Sequence, residues 1–333
     1  MLAKLQQITT LSLIIAAAAW AVYFASEGRV AWACIGLLLI LLGYAVFLAA
    51  EFVTLAIVRT DDPAPRPSVR QLLGAWWSEV LTAPQVFCWR QPFRSHAEPD
   101  SVTPHSAGCR GAVLIHGFVC NRGFWNPWMA RLRPVNVPFI AVNLEPVFGS
   151  IDNYVDIIEQ AVAQLESSTG LAPVLVAHSM GGLAVRAWLS IEGNESRVHR
   201  VITIGTPHHG PWLARFGHTV NGRQMRMASP WLGTLSQDES PERFAKFTCV
   251  YSHCDNIVFP ASTATLAGAR NQHVPGAAHV HLAFEGTAFA ELARWLTPVE
   301  RSDAKSPCAQ PPASHFVEHL GRQQQRGVKQ PQP

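Results

Sequence analysis

The chain has 333 residues, of which 48% are hydrophobic and only 15% charged, with a net charge of +3. That balance lies between those of soluble and membrane proteins, and the length holds one large domain or two small ones. The charge is spread without a basic patch and no nucleic-acid motif appears, so a nucleic-acid partner is excluded.

The first elements are two charge-free runs, one between Lys4 and Glu27 and one from Val30 to Ala50. At about 1.5 Å per residue each is long enough to cross the roughly 30 Å hydrocarbon core of a bilayer. The polar stretch SEGR (26–29) between them predicts a tight turn, hence a two-helix transmembrane hairpin. Two readings compete. A cleaved signal peptide would use Lys4 as its basic start, but Tyr23 and Phe24 crowd the cleavage position and a second run follows at once. A pair of buried core helices would not be so long and so poor in charge. Lys4 and the N-terminal amine precede the first span, Arg29 lies in the turn, and Arg59, Arg66 and Arg70 follow the second. The positive-inside rule then puts both ends, and residues 60 onward, on the cytoplasmic side of a plasma or inner membrane of bacterial type. The seven cysteines (34, 88, 109, 120, 249, 254, 308) are odd in number and lack metal-ligand spacing, which fits a reducing compartment.

TDDPAPRP (60–67) is a linker stiffened by prolines. In the next segment, 68–81, Val69, Leu72, Leu73, Trp76, Trp77, Val80 and Leu81 recur every three or four residues and make one apolar helical face. That face either lies at the headgroup level of the bilayer or packs on the following domain. QVFCWRQPF (85–93) reads as a strand. Short apolar runs then alternate with helical stretches. The runs are GAVLIH (111–116), PFIAVNL (138–144), PVLVAH (173–178), VHRVITIGT (198–206), FAKFTCVYS (244–252) and NQHVP (271–275). Helices are expected near 122–132, 150–168, 180–191 and 284–297, which predicts an α/β fold with a mostly parallel sheet covered on both faces. The expected organisation is thus two spans in 1–58 (about 5–26 and 30–50 or 58) and a linker with an amphipathic juxtamembrane helix in 59–84. An α/β domain with a lid-like insert at about 211–243 fills 85–298, and a disordered tail, rich in Gln, Pro and Ser, fills 299–333.

VLVAHSMGGLAVRAW (174–188) turns from strand to helix at Ser179. A turn this tight strains the backbone and leaves no room for bulk two residues away, which Ala177 and Gly181 satisfy; Gly182 lets the helix approach the sheet. The hydroxyl is thereby raised above the carboxyl edge of the strands, where open α/β sheets bind ligands. A serine needs a base and the base a carboxylate. CVYSHCDNIVFP supplies Asp255 just past a strand, and VPGAAHVHLAF supplies His279 before the last helix. The order Ser179, Asp255, His279 is the one this architecture requires. VLIHGFVCNRGFW places His116 and Gly117 directly after a strand, so the backbone N–H groups of Phe118 and Met180 are the expected oxyanion donors.

Together these motifs resemble the α/β-hydrolase superfamily, and within it bacterial triacylglycerol lipases and esterases with an HGF-type loop and an A-H-S-M-G elbow. GTPHHGPWLARFG (205–217) and RQMRMASPWLGTL (223–235) are similar to the lid-bearing insert of those lipases, and to related deacylases that act on membrane-anchored lipids. The likeness covers roughly 108–297. Ala177 replaces the usual glycine, which leaves the subfamily open, and nothing in the family pattern accounts for the two spans.

Other residues compete for these roles. His281 lies two positions from His279 and is the reserve base. His178 is directed away from the turn and serves packing, while His208 and His209 either line the cleft or cap a loop. Asp238 lies in a polar loop, and Asp152 and Asp156 on a helix before the elbow. A zinc site built from these histidines lacks a third ligand at sensible spacing, so no metal and no cofactor are expected. The resulting expectation is a membrane-anchored serine hydrolase of lipid or acyl esters, with the ester and the bilayer as partners. An acyltransferase using the same triad and a catalytically idle membrane scaffold are the alternatives. Trp212, Trp231 and Leu232 in the insert suggest a lid or acyl groove, or a plain structural cap.

Overall fold

The computed structural model describes residues 1–58, 62–103, 106–237 and 239–296. The expected tail and Asp238 lie outside these residues. Helices α1 (Leu2–Ser26) and α2 (Val30–Ile57) form the hairpin expected at the N-terminus, and both are long and apolar enough to cross a membrane. Almost none of either is buried, so they are not core helices. The first turns of α1 dock on the body of the protein, where the Gln6 side chain donates to Gln91.

Helix α3 (Val69–Pro84) starts at a capping box, in which Ser68 Oγ accepts from the Gln71 N–H and Gln71 Oε1 from the Ser68 N–H. Its apolar residues divide between a packed side and an exposed side. Ala75 and Val80 are buried, Trp76 donates to the Ala45 carbonyl and Tyr44 to that of Val80, which ties α3 to α2. Val69, Leu73, Trp77 and Leu81, spaced by four, stay exposed.

The strand expected at 85–93 does not form. Gln85–Arg90 is a π-helical turn continuing α3, followed by the short helix α4 (Gln91–Phe93). Pro84 cannot donate to the carbonyl four residues back and its ring crowds it, so the coil loosens to the wider turn instead of ending. A short apolar run such as this one cannot be told from a helical segment by periodicity.

From here strands and helices alternate: β1 (Ala112–Ile115), α5 (Asn126–Leu132), β2 (Phe139–Ala141), α6 (Val155–Thr169), β3 (Val174–His178), α7 (Met180–Leu189) and β4 (Arg200–Ile204). After an insert come β5 (Phe247–Tyr251) and β6 (Arg270–His273), then helices at the end of the described chain. The six strands form one wholly parallel sheet in the order β2-β1-β3-β4-β5-β6. Side chains alternate across it. Leu175 and Ala177 face a core with Val162, Leu183 and Trp188 from α6 and α7, whereas Val174 and Val176 face Trp128, Phe289 and Leu292. Burial on both faces explains why β1, β2 and β3 read as unbroken apolar runs, whereas the edge strand β6, RNQH, is polar and partly exposed. Each fully buried leucine or valine adds about 1.5–3 kcal/mol.

The insert holds α8 (Val220–Gln224), α9 (Pro230–Gln237) and α10 (Pro241–Phe244). Leu232 and Leu235 are buried in the core beside α7, and Trp231 donates to Asp152. Arg186 of α7 is buried in an ion pair with Glu239 and also donates to the His208 carbonyl. Trp212 stacks on Phe259. The insert is therefore packed against the body, and α11 (His279–Leu282) and α12 (Gly286–Leu296) complete the chain described.

Candidate active site

All strands run one way, so the loops after β1, β3, β5 and β6 open on the same edge of the sheet. The loop after β3 is a single residue. Ser179 has φ 53° and ψ −130°, a conformation that costs an ordinary side chain about 1–3 kcal/mol. Its N–H still donates to the Ile204 carbonyl of β4, and its carbonyl accepts from Gly182. The small neighbours are required by contact. A Cβ on Gly181 would lie 2.5 Å from the His116 oxygen, and one on Gly182 would lie 2.2 Å from Thr206 Oγ1.

The structure brings Ser179, Asp255 and His279 together. Ser179 Oγ lies 3.0 Å from His279 Nε2, and His279 Nδ1 lies 2.9 Å from Asp255 Oδ2. The carboxylate can only accept, so Nδ1 carries the proton and Nε2 is the acceptor facing the hydroxyl. Asp255 Oδ1 accepts the N–H groups of Ile257 and Val258, which fixes the carboxylate with its other oxygen toward the imidazole. All three are almost buried: Ser179 is 9% exposed, His279 5% and Asp255 2%. Burial pushes the His279 pKa down, but the Asp255 carboxylate, then Glu79 and Glu51 further off, outweigh it and the net direction is upward.

The loop after β1 abuts the serine, since a Cβ on Gly117 would come within 2.8 Å of Ser179 Cβ. His116 is orientated by the Leu144 N–H, which donates to its Nε2, so its Nδ1–H donates to the Gly117 carbonyl. Burial lowers its pKa to about 4, and it stays neutral. Fixing that carbonyl also fixes the Phe118 N–H, which points oppositely in the same planar peptide. Met180 is the first residue of α7, and its N–H has no partner within the helix. Phe118 packs edge-on against the half-exposed Phe148, so the rim beside this loop is apolar.

The competing residues lie elsewhere. No hydrogen bond joins the His281 ring to Ser179 among the described residues, and its backbone N–H is held by Glu79. His178 donates to the His279 carbonyl and stacks on Phe124, with burial and the nearby His279 keeping its pKa well below the usual value. His208 is buried against Thr203 and Cys249, His209 is exposed, and Asp152 holds Ser150 and Trp231. Among the described residues no group of three metal-ligating side chains occurs. Three supporting residues escape sequence reasoning: Asn256 accepts the His279 N–H and donates to Glu51, and Glu79 accepts the N–H groups of Val280 and His281. The available signal was that Glu51 and Glu79 are each the sole carboxylate of their helix, in α2 the sole charge.

A parallel sheet with a strained serine at the β3–α7 turn and an acid and a histidine on later loops of the same edge defines an α/β-hydrolase. In agreement, the model of the Alpha/beta hydrolase family matches residues 112–327, and the chain belongs to that family. Among solved structures it is similar to the lipase BlEst2 of Bacillus licheniformis in its mature form, at 17% identity and TM-score 0.50, over 57% of this chain and 93% of that one. It is also similar to lipase B of Aspergillus fumigatus, at 19% identity and TM-score 0.53, over 68% of this chain and 64% of that one. At such identities the likeness is one of fold. Comparison with the curated proteins gives no match.

Proposed function

We propose that the protein is a membrane-anchored serine hydrolase that cleaves carboxylic esters of lipid or acyl type. The observation that carries this reading is the chain of two hydrogen bonds, 3.0 and 2.9 Å, from Ser179 through His279 to Asp255. Ser179 attacks the acyl carbonyl while His279 Nε2 takes its proton, and Asp255 holds the imidazole in the required tautomer. The Phe118 and Met180 N–H groups receive the charge on the carbonyl oxygen, at a helix N-terminus that favours negative charge. The protonated His279 then passes its proton to the departing alcohol, and water repeats the sequence on the acyl-enzyme. An acyl substrate is favoured by the Phe118–Phe148 rim, and a bilayer setting by the unburied apolar surfaces of α1 and α2 and the exposed stripe on α3. The basic residues Lys4, Arg66 and Arg70 outside the hairpin, against Arg29 in its turn, support a cytoplasmic catalytic body.

A fluorophosphonate probe tests the assignment. Detergent-solubilised protein should be labelled at Ser179 and at no other serine, and the labelled protein should lose turnover of a p-nitrophenyl ester. Intact protein that takes up no label would instead be an idle scaffold.

The pH dependence has a definite sign. His279 must be neutral to accept the serine proton, and its pKa is raised. Activity is therefore expected to fall as pH drops through a value above the ordinary histidine pKa of ~6.5. A kcat/KM profile with its acid limb below that value contradicts the electrostatics of the site.

A further inference from the structure

Helix α11, which carries His279, is a single turn of four residues and has no stiffness of its own. The N–H groups of its first three residues are nevertheless all held by side chains. His279 N–H donates to Asn256 Oδ1 at 3.1 Å, and the Val280 and His281 N–H groups donate to the two oxygens of Glu79 at 3.0 Å each. Asn256 is in turn fixed by Glu51, whose Oε2 accepts its Nδ2 at 2.6 Å; that bond sets which end of the amide faces His279. Glu51 belongs to α2 and Glu79 to α3, about 200 residues away in the chain from the loops they hold.

The apolar contacts converge on the same place. Phe52 of α2 and Ala75 of α3 pack with Cys254 and Ala278, the residues that immediately precede Asp255 and His279. Leu55, Leu72 and Trp76 pack around them. Glu79 is only 2% exposed. Burying a carboxylate carries a desolvation penalty that an apolar side chain joining α3 to the body would avoid. Two N–H groups of the histidine turn, that of Val280 buried and that of His281 partly so, give it a specific partner instead.

Resting on the reading of Ser179, Asp255 and His279 given above, we propose that Glu79 and Glu51 are positioning residues for the catalytic base. In this protein the N-terminal helices are thus a working part of the hydrolase site, and not an anchor alone. Glu79 clamps the turn that carries the imidazole, and Glu51 acts on it through Asn256. Burial pushes the Glu79 pKa up to about 7 against the pull of its two N–H donors, so it is an acceptor carboxylate on the alkaline side, where His279 is also neutral.

The test uses the full chain in detergent, with kcat expressed per serine titrated by fluorophosphonate, so that loss of folded protein does not count. Glu79→Gln keeps the shape but turns an amide N–H toward one of the two donors. Its kcat should fall at least tenfold with KM within twofold of wild type. Asp255 and His178 touch the imidazole, and Glu79 and Glu51 act on it electrostatically from further off. Removing one negative charge among them should also move the acid limb of kcat/KM to lower pH, which a purely structural role would not do. Glu51→Gln retains an oxygen acceptor and should lose only severalfold, while Trp77→Ala on the exposed side of α3 should leave kcat unchanged. Wild-type kcat and an unmoved acid limb in Glu79→Gln overturn the proposal, as does a loss fully accounted for by fewer titrated serines. If Ser179→Ala is inactive while Glu79→Gln is unaffected, only the positioning role fails. Full turnover by Ser179→Ala removes both it and the triad.

Discussion

Ser179→Ala is expected to lower ester turnover by on the order of 10⁴-fold or more, with the protein still folded. The substitution removes one oxygen, Ser179 being 9% exposed, and alanine is the smallest residue that keeps a Cβ. The strain at φ 53° remains in the variant, so circular dichroism and thermal unfolding should change little. Residual catalysis would come from the backbone donors of Phe118 and Met180, which are untouched. Measuring kcat beside the wild type on a panel of esters graded by acyl length checks the nucleophile and the substrate class in one experiment. Retention of wild-type turnover removes the mechanism.

Asp255→Asn is expected to cost about 10⁴-fold in kcat, for a reason specific to the local hydrogen bonds. Oδ1 accepts two backbone N–H groups, from Ile257 and Val258, so the carbonyl oxygen of an asparagine would take that position. Its NH₂ would then face His279 Nδ1, where Oδ2 now accepts. The imidazole would have to present its lone pair at Nδ1 and its proton at Nε2, toward the serine, and could not act as the base. KM should be little affected, because the contacts are with the base and not with the substrate. A variant within tenfold of wild type would show that Asp255 is not the orienting carboxylate.

Ser179 was legible because its signature is local: small residues beside a serine between a strand and a helix encode a tight turn, and the later contacts of Gly181 and Gly182 are what that turn requires. The central strands of the sheet were legible for a similar reason, since burial on both faces leaves an apolar run; the polar edge strand β6 lacks that signal. The segment 85–93 was misread as a strand because its apolar run is short and its helix continues through Pro84. The pattern favours His279, with His281 two positions on as the reserve, but reach to the hydroxyl is a matter of geometry that composition does not record. The hydrogen bond from Ser179 to Nε2 of His279 distinguishes them.

By itself the sequence determined the parallel α/β architecture, the two apolar N-terminal helices and the serine turn, because each is set by periodicity or backbone sterics within a few neighbouring residues. Only the tertiary structure decided which histidine meets the serine, that the insert packs down through Arg186 and Glu239, and that Glu51 and Glu79 reach the histidine turn. Those contacts join residues separated by about 50 to 200 positions, and no local pattern records them. They exist because chain folding brings donors and acceptors into a buried space where each must find a partner.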